Sequence, residues 1–124
     1  MNKHEIETLS ELYFNMISDY YGMSRYHATL PYLSVEDSRY SDGEDKETKG
    51  EYCSLHNEIV IYWKNIEDEE SLIRTITHEY QHYLQSPTWF TRYYKQGYSY
   101  NDHPYEVQAL EEEENWKKFK INRL

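Results

Sequence analysis

Residues 67–85 read EDEESLIRTITHEYQHYLQ, and how this stretch folds decides where everything else must sit. Leu72, Ile73 and Ile76 fall at helical spacing, and the acidic residues at its start occupy a first turn, where they complement the helix dipole. The spacing predicts an amphipathic helix over 67–85. On it, His78 and His82 stand at i and i+4 and project side by side. Two imidazoles so placed can chelate one Zn²⁺ at about 2.0–2.1 Å per bond. Glu79 lies about 100° round the helix from His78. That is too far for it to ligate beside both histidines, but close enough to reach a water activated by the metal. The pattern suits metal-assisted hydrolysis, in which zinc lowers the pKa of a water and a carboxylate takes its proton. The preceding apolar residues place the histidines near the buried side of the helix.

A catalytic zinc site needs three protein ligands and one open position. Downstream, Pro104 sits where proline opens a helix, and residues 105–121 continue it. Tyr105, Ala109 and Trp116 fall within about 40° of one another and define its packed face. Glu106, about 60° from Ala109, lies on the edge of that face, 24 positions after His82 (106 − 82). Glu111 points to solvent. Glu113 shares Glu106's side two turns on, and is either a rival ligand or a partner to one. Asp102 and His103 precede the helix and are expected to cap it. Glu106 is thus the expected third ligand, giving one Zn²⁺ per chain on His78, His82 and Glu106, with Glu79 as general base. Tyr93, Tyr94, Tyr98 and Tyr100, with Arg92, are candidates to stabilise an oxyanion. Gln85, one turn past His82, is a candidate to hydrogen-bond within the site.

Upstream, Ile6, Leu9, Tyr13, Met16, Ile17 and Tyr20 predict a helix over 3–21 that Gly22 can end. Residues 28–35 read as a short strand that Pro31 confines to an edge or bend. Residues 36–50 are polar and turn-rich, with a hairpin-type Asp42-Gly43, and read as a mobile charged loop. Strands are expected at 51–55 and 58–63, the second apolar enough to be covered on both faces. Cys53 reads as a small strand residue. Strand 58–63 is closest in sequence to the active helix and is expected at the sheet edge. Its free backbone groups would there hold an extended peptide beside the zinc. The rival reading makes it an interior strand.

The chain's bulk properties exclude several classes. At 124 residues it is expected to form a single domain, 1–124. Aromatics are 17%, including 15 tyrosines, so the core is expected to be rich in amphipathic rings and not disordered. A net charge of -10 repels phosphate backbones and anionic lipid, so neither nucleic acid nor membrane is an expected partner. A single cysteine, no apolar run of membrane length and no apolar leader suggest a cytoplasmic setting.

The segments THEYQHYLQ and HPYEVQALEEE, with GEYCSLHNEIVIYW upstream, resemble the zincin metallopeptidases, in particular the gluzincins, over roughly residues 50–113. The resemblance implies a zincin-like α+β fold: an N-terminal helix, a small twisted and mostly antiparallel sheet, the active helix, and a C-terminal helix carrying Glu106. It implies hydrolysis of a polypeptide substrate. Small size and a Tyr-, Asn- and Glu-rich composition are similar to the minimal zincins encoded by phages. The aspartate that follows the glutamate ligand in many gluzincins is replaced here by the Leu110-Glu111 region. Two further readings stand beside the peptidase: a zincin-like metal-binding module without catalysis, and an acidic interaction protein or nucleic-acid mimic whose His motif is accidental.

Overall fold

The computed structural model describes residues 1–41, 43–88, 95–97, 99 and 102–121. Helix α1 (Lys3–Tyr21) begins at Asn2, whose side chain accepts the Glu5 N–H at 2.8 Å, and ends at Gly22. Gly22 has φ 79°, the left-handed conformation glycine adopts without a Cβ penalty, and its N–H returns to Ser18. Ile6, Leu9, Tyr13, Phe14 and Ile17 are buried, as the periodicity requires. Tyr20 is not: it is 54% exposed and lays its ring edge-on against Tyr21 and Phe119.

Three strands follow, β1 (Tyr32–Glu36), β2 (Gly50–Cys53) and β3 (Glu58–Tyr62), in the spatial order β1-β3-β2. β1 starts immediately after Pro31 and lies at an edge, where a missing N–H costs no ladder bond. The β2–β3 turn uses Asn57 at φ 49°, a conformation that asparagine tolerates. β3 alternates cleanly: Ile59 and Ile61 join the core under the helices, while Val60 and Tyr62 are buried on the other face.

Two sheet expectations are corrected. The sheet is mixed and not mostly antiparallel: β2 pairs antiparallel with β3, but β1 pairs parallel with it. Segment 37–49 carries the chain across to lay β2 on the far side, and the return through Asn57 inserts β3 between its two predecessors. β3 is therefore interior, bonded on both sides, and its backbone is not open to a peptide. That removes the expected substrate-binding row at 58–63 and the support it lent to a peptidase. The open edge nearest the helix of residues 69–84 belongs to β2.

Segment 36–50, expected as a mobile charged loop, has its two limbs tied together. Its limbs meet in a Tyr40–Glu47 bridge, and Asn65 Nδ2 donates to the carbonyls of both Arg39 and Thr48, at 3.0 and 2.6 Å. Asp42, half of the expected hairpin signal, lies outside the described residues.

Helix α2 (Glu69–Leu84) carries the His motif and is capped by Asp68, whose carboxylate accepts the Ser71 N–H at 2.8 Å. Helix α3 (Pro104–Glu112) has proline in its first turn and His103 as cap, accepting the Tyr105 N–H. The expected continuous helix to 121 breaks. After Glu112 the chain tightens into a 3-10 turn (Glu113–Asn115) and resumes as the short α4 (Trp116–Phe119). Asn115 and Tyr21 both donate to the Glu112 carboxylate at this joint. The result is an α+β architecture with a small mixed sheet under α1 and α2. No helix among the described residues is long and apolar enough to cross a membrane.

β2 lies tight against α2. A Cβ added at Gly50 would stand 2.6 Å from Thr75 Cγ2 and 3.1 Å from the Val60 carbonyl. Gly50→Ala is expected to destabilise the fold by about 1–3 kcal/mol through overpacking. Adding Thr75→Ser should recover most of this loss, because serine lacks Cγ2 yet can keep the bond to the Ser71 carbonyl. Urea unfolding of the single and double variants measures both. An unchanged midpoint in Gly50→Ala would mean that β2 is not held at this distance.

Candidate metal centre

His78, Glu79 and His82 form one group on α2 whose ligand atoms lie within 4.8 Å of one another. The imidazoles meet edge to face, with Nε2 atoms 3.2 Å apart. Glu106, from the first turn of α3, closes on the same point: Oε1 is 2.7 Å from His78 Nε2 and Oε2 is 3.2 Å from His82 Nε2. Ligands at about 2.0–2.1 Å from one tetrahedral zinc stand roughly 3.3 Å apart, close to these spacings. Glu106 is 8% exposed, and its Oε2 has no hydrogen bond among the described residues.

The outer nitrogens show why the inner ones are available. His78 Nδ1 lies 2.7 Å from the Glu113 carboxylate. A carboxylate accepts, so Nδ1 carries the proton there. His82 Nδ1 lies 2.8 Å from Gln85 Oε1, whose orientation is fixed because Gln85 Nε2 donates to the Tyr105 carbonyl at 2.8 Å. Gln85 Nε2 also donates to Gln108, and Gln108 donates to Gln81. Both imidazoles thus hold Nδ1–H outward and direct Nε2 at Glu106. Tyr105 stacks its ring on His82 at 4.0 Å and 9°.

Four acceptor atoms aimed at one another repel unless a cation sits among them, either a proton or a metal ion. The donor set of two imidazoles and a carboxylate fits zinc. Burial disfavours the charged form of His78, but its bonds to Glu106 and Glu113 outweigh burial and push its pKa up to about 10. Burial also opposes ionisation of Glu106, yet the two histidines hold its carboxyl well below the ordinary range.

Glu79 has a different environment. It is 8% exposed and makes no hydrogen bond or ion pair among the described residues. Burial raises its pKa, partly offset by His78 and His82. It faces a cleft of about 740 Å³ between α2 and the β2 edge, with Glu51, Tyr52, His82 and Tyr105 among its walls. A smaller recess of about 230 Å³, between His27, Tyr52, Pro87 and Tyr105, continues past His82.

The structure therefore brings His78, Glu79, His82, Glu106, Gln85 and Glu113 together. Glu113 binds the outer nitrogen of His78, so it is a partner to a candidate ligand and not a rival. It does this seven residues beyond Glu106, where Leu110 and Glu111 offer nothing, and the 3-10 turn lies at that position. Tyr93, Tyr94, Tyr98 and Tyr100, with Arg92, lie outside the described residues. Sequence reasoning missed the Gln108 link, the Tyr105–His82 stack and the close approach at Gly50. Only Gly50 left a signal, as a lone glycine opening a strand. Compared with known proteins, the chain matches no family model, no curated protein and no solved structure.

Proposed function

We propose that the chain is a zinc-dependent peptidase with a gluzincin-like site. The observation that carries this is the convergence of His78 Nε2, His82 Nε2 and Glu106, with His78 Nε2 2.7 Å from Oε1, His82 Nε2 3.2 Å from Oε2 and the two Nε2 atoms 3.2 Å apart, each imidazole turned inward by a partner on its outer nitrogen. His78, His82 and Glu106 would hold the ion. When bound, zinc supplies a Lewis acid that lowers the pKa of a water and polarises a carbonyl.

The remaining steps belong to the protein. Glu113 and Gln85 keep the imidazoles in the ligating tautomer. Glu79 takes a proton from the attacking water and returns it to the departing amine nitrogen. Its raised pKa brings it toward the operating pH, which favours a base that must also serve as an acid. An extended peptide fits the cleft by adding to the open edge of β2, which takes the role expected of strand 58–63. A metal-binding module without catalysis needs the three ligands but no unpartnered carboxylate facing a cleft, so Glu79 favours the peptidase. Incubating the zinc-loaded chain with unfolded polypeptides tests this. Cleavage that a chelator stops and zinc restores is expected. Intact substrates across a broad panel would remove the peptidase reading.

Zinc binding must displace the proton from His78. At pH 7 about one proton per zinc should be released, because a group with a pKa near 10 is still protonated there. Affinity should therefore keep rising with pH through neutrality, instead of levelling off above the ordinary histidine pKa of 6.5. The sign for stability follows from the same shifts. His78, raised in the fold, stabilises chelator-treated protein fully below 6.5 and loses that contribution as pH rises through about 10. Glu106, lowered in the fold, stabilises above its ordinary 4.5 and loses its contribution in acid. Calorimetric titration in buffers of different ionisation enthalpy counts the protons, and zero released would contradict a protonated His78.

A further inference from the structure

The β2 edge makes a specific prediction about what the cleft accepts, and it rests on the peptidase reading. Tyr62 N–H bonds to the Lys49 carbonyl, so Lys49 and Tyr62 form a hydrogen-bonded pair of the antiparallel ladder. Such pairs alternate, so Glu51 and Cys53 also turn their backbone groups toward β3, while Gly50 and Tyr52 turn theirs outward. A peptide added antiparallel would bond to Tyr52 and to Gly50, whose carbonyl already accepts the Thr48 hydroxyl at 2.9 Å and keeps one lone pair for the peptide. Its residue opposite Glu51 would then occupy a non-hydrogen-bonded pair, where facing side chains come closest.

Side-chain alternation separates the two faces. Gly50 and Tyr52 face α2, as the Gly50–Thr75 approach and the Tyr52–Tyr83 ring contact show. Glu51 faces the other way. Its carboxylate is fixed by two hydroxyls: Tyr62 donates to Oε1 at 2.7 Å and Ser41 donates to Oε2. Each oxygen keeps a lone pair for another donor. Glu44 and Glu47 line the same cleft, and Lys46, which is exposed, is the single lysine or arginine among its described walls. Glu79, nine-tenths buried and unpartnered among the described residues, faces the same space and marks it as a place where a ligand completes the polar bonding.

We infer that the cleft selects an extended polypeptide carrying lysine or arginine opposite Glu51. The cation meets a carboxylate already held in place, flanked by Glu44 and Glu47, in a chain whose net charge of -10 steers cationic peptides toward it.

The test uses fluorescein-labelled peptides of alternating Thr-Lys, Thr-Gln or Thr-Glu sequence, whose period of two puts the Lys, Gln or Glu on the Glu51 face in every second register, with Thr there in the others for all three peptides alike. Binding to the full zinc-loaded chain is read by anisotropy, and cleavage is read on the same samples. The Thr-Lys peptide should bind about tenfold tighter than Thr-Gln, and Thr-Glu weakest. Glu51→Gln should remove most of that preference. Glu44→Gln with Glu47→Gln, both exposed, should reduce it even if Glu51→Gln folds poorly. Glu11→Gln on the exposed side of α1 changes the net charge by the same single unit as Glu51→Gln and should leave the preference intact. Equal binding of Thr-Lys and Thr-Gln, no binding, or an equal loss in Glu11→Gln would overturn the inference. Preferential binding without cleavage would uphold it and count against the peptidase, whereas cleavage without preference would do the reverse.

Discussion

Glu79→Gln is expected to keep its zinc and lose hydrolysis by about 10²–10⁴-fold, the usual cost of removing a general base. The substitution is nearly isosteric, and the site around Glu79 asks little of its charge. The carboxylate has no hydrogen-bond partner among the described residues, and burial already favours its neutral form. The ligand atoms of His78, His82 and Glu106 meet without it. The fold and metal content should therefore match the parent chain. Zinc content and peptide cleavage, measured on one preparation, separate the outcomes. If the metal is lost together with activity, Glu79 is a ligand and the base must be sought elsewhere. Full activity would dismiss it from the chemistry.

Glu106→Ala should act in the opposite sense, on the metal itself. Two histidines remain, and the third ligand and the acceptor facing His78 Nε2 are gone. Zinc affinity should fall by at least about 100-fold, beyond the range usual for losing a group that only orients a ligand. Competition with a chromophoric chelator reads this directly. Glu111→Ala, on the exposed side of the same helix, is the control and should leave affinity unchanged. An affinity within a few-fold of the parent in Glu106→Ala would transfer the third ligand to another group, with Glu79 the carboxylate that shares a group with both histidines.

Both predictions use residues that the sequence displays openly, because local periodicity fixes them. The i, i+4 histidines must share a face once 67–85 is helical, and Pro104 sets the phase that brings Glu106 to the edge of the packed side. Gln85 and Glu113 follow from the same phases. Non-local pairing is what stayed hidden. The apolar run of β3 is consistent with burial on both faces, but proximity to α2 in sequence suggested an edge. Only the crossing of 37–49 to the far side of the sheet makes β3 interior. The charges of that segment suggest a mobile loop, whereas one amide, on Asn65, ties both of its limbs. The Gln85–Gln108–Gln81 relay spans two helices, and no period in either announces it. The tight passage at Gly50 depends on Thr75, 25 residues away (75 − 50).

The central claim is that four atoms from three side chains converge because they hold a metal ion, and metal content tests it most directly. The full chain, loaded with zinc and freed of loosely bound ions by gel filtration, should carry one zinc per chain by elemental analysis, and His78→Ala with His82→Ala should carry almost none. Much less than one zinc in the parent chain, or an equal amount in the double variant, would contradict the site.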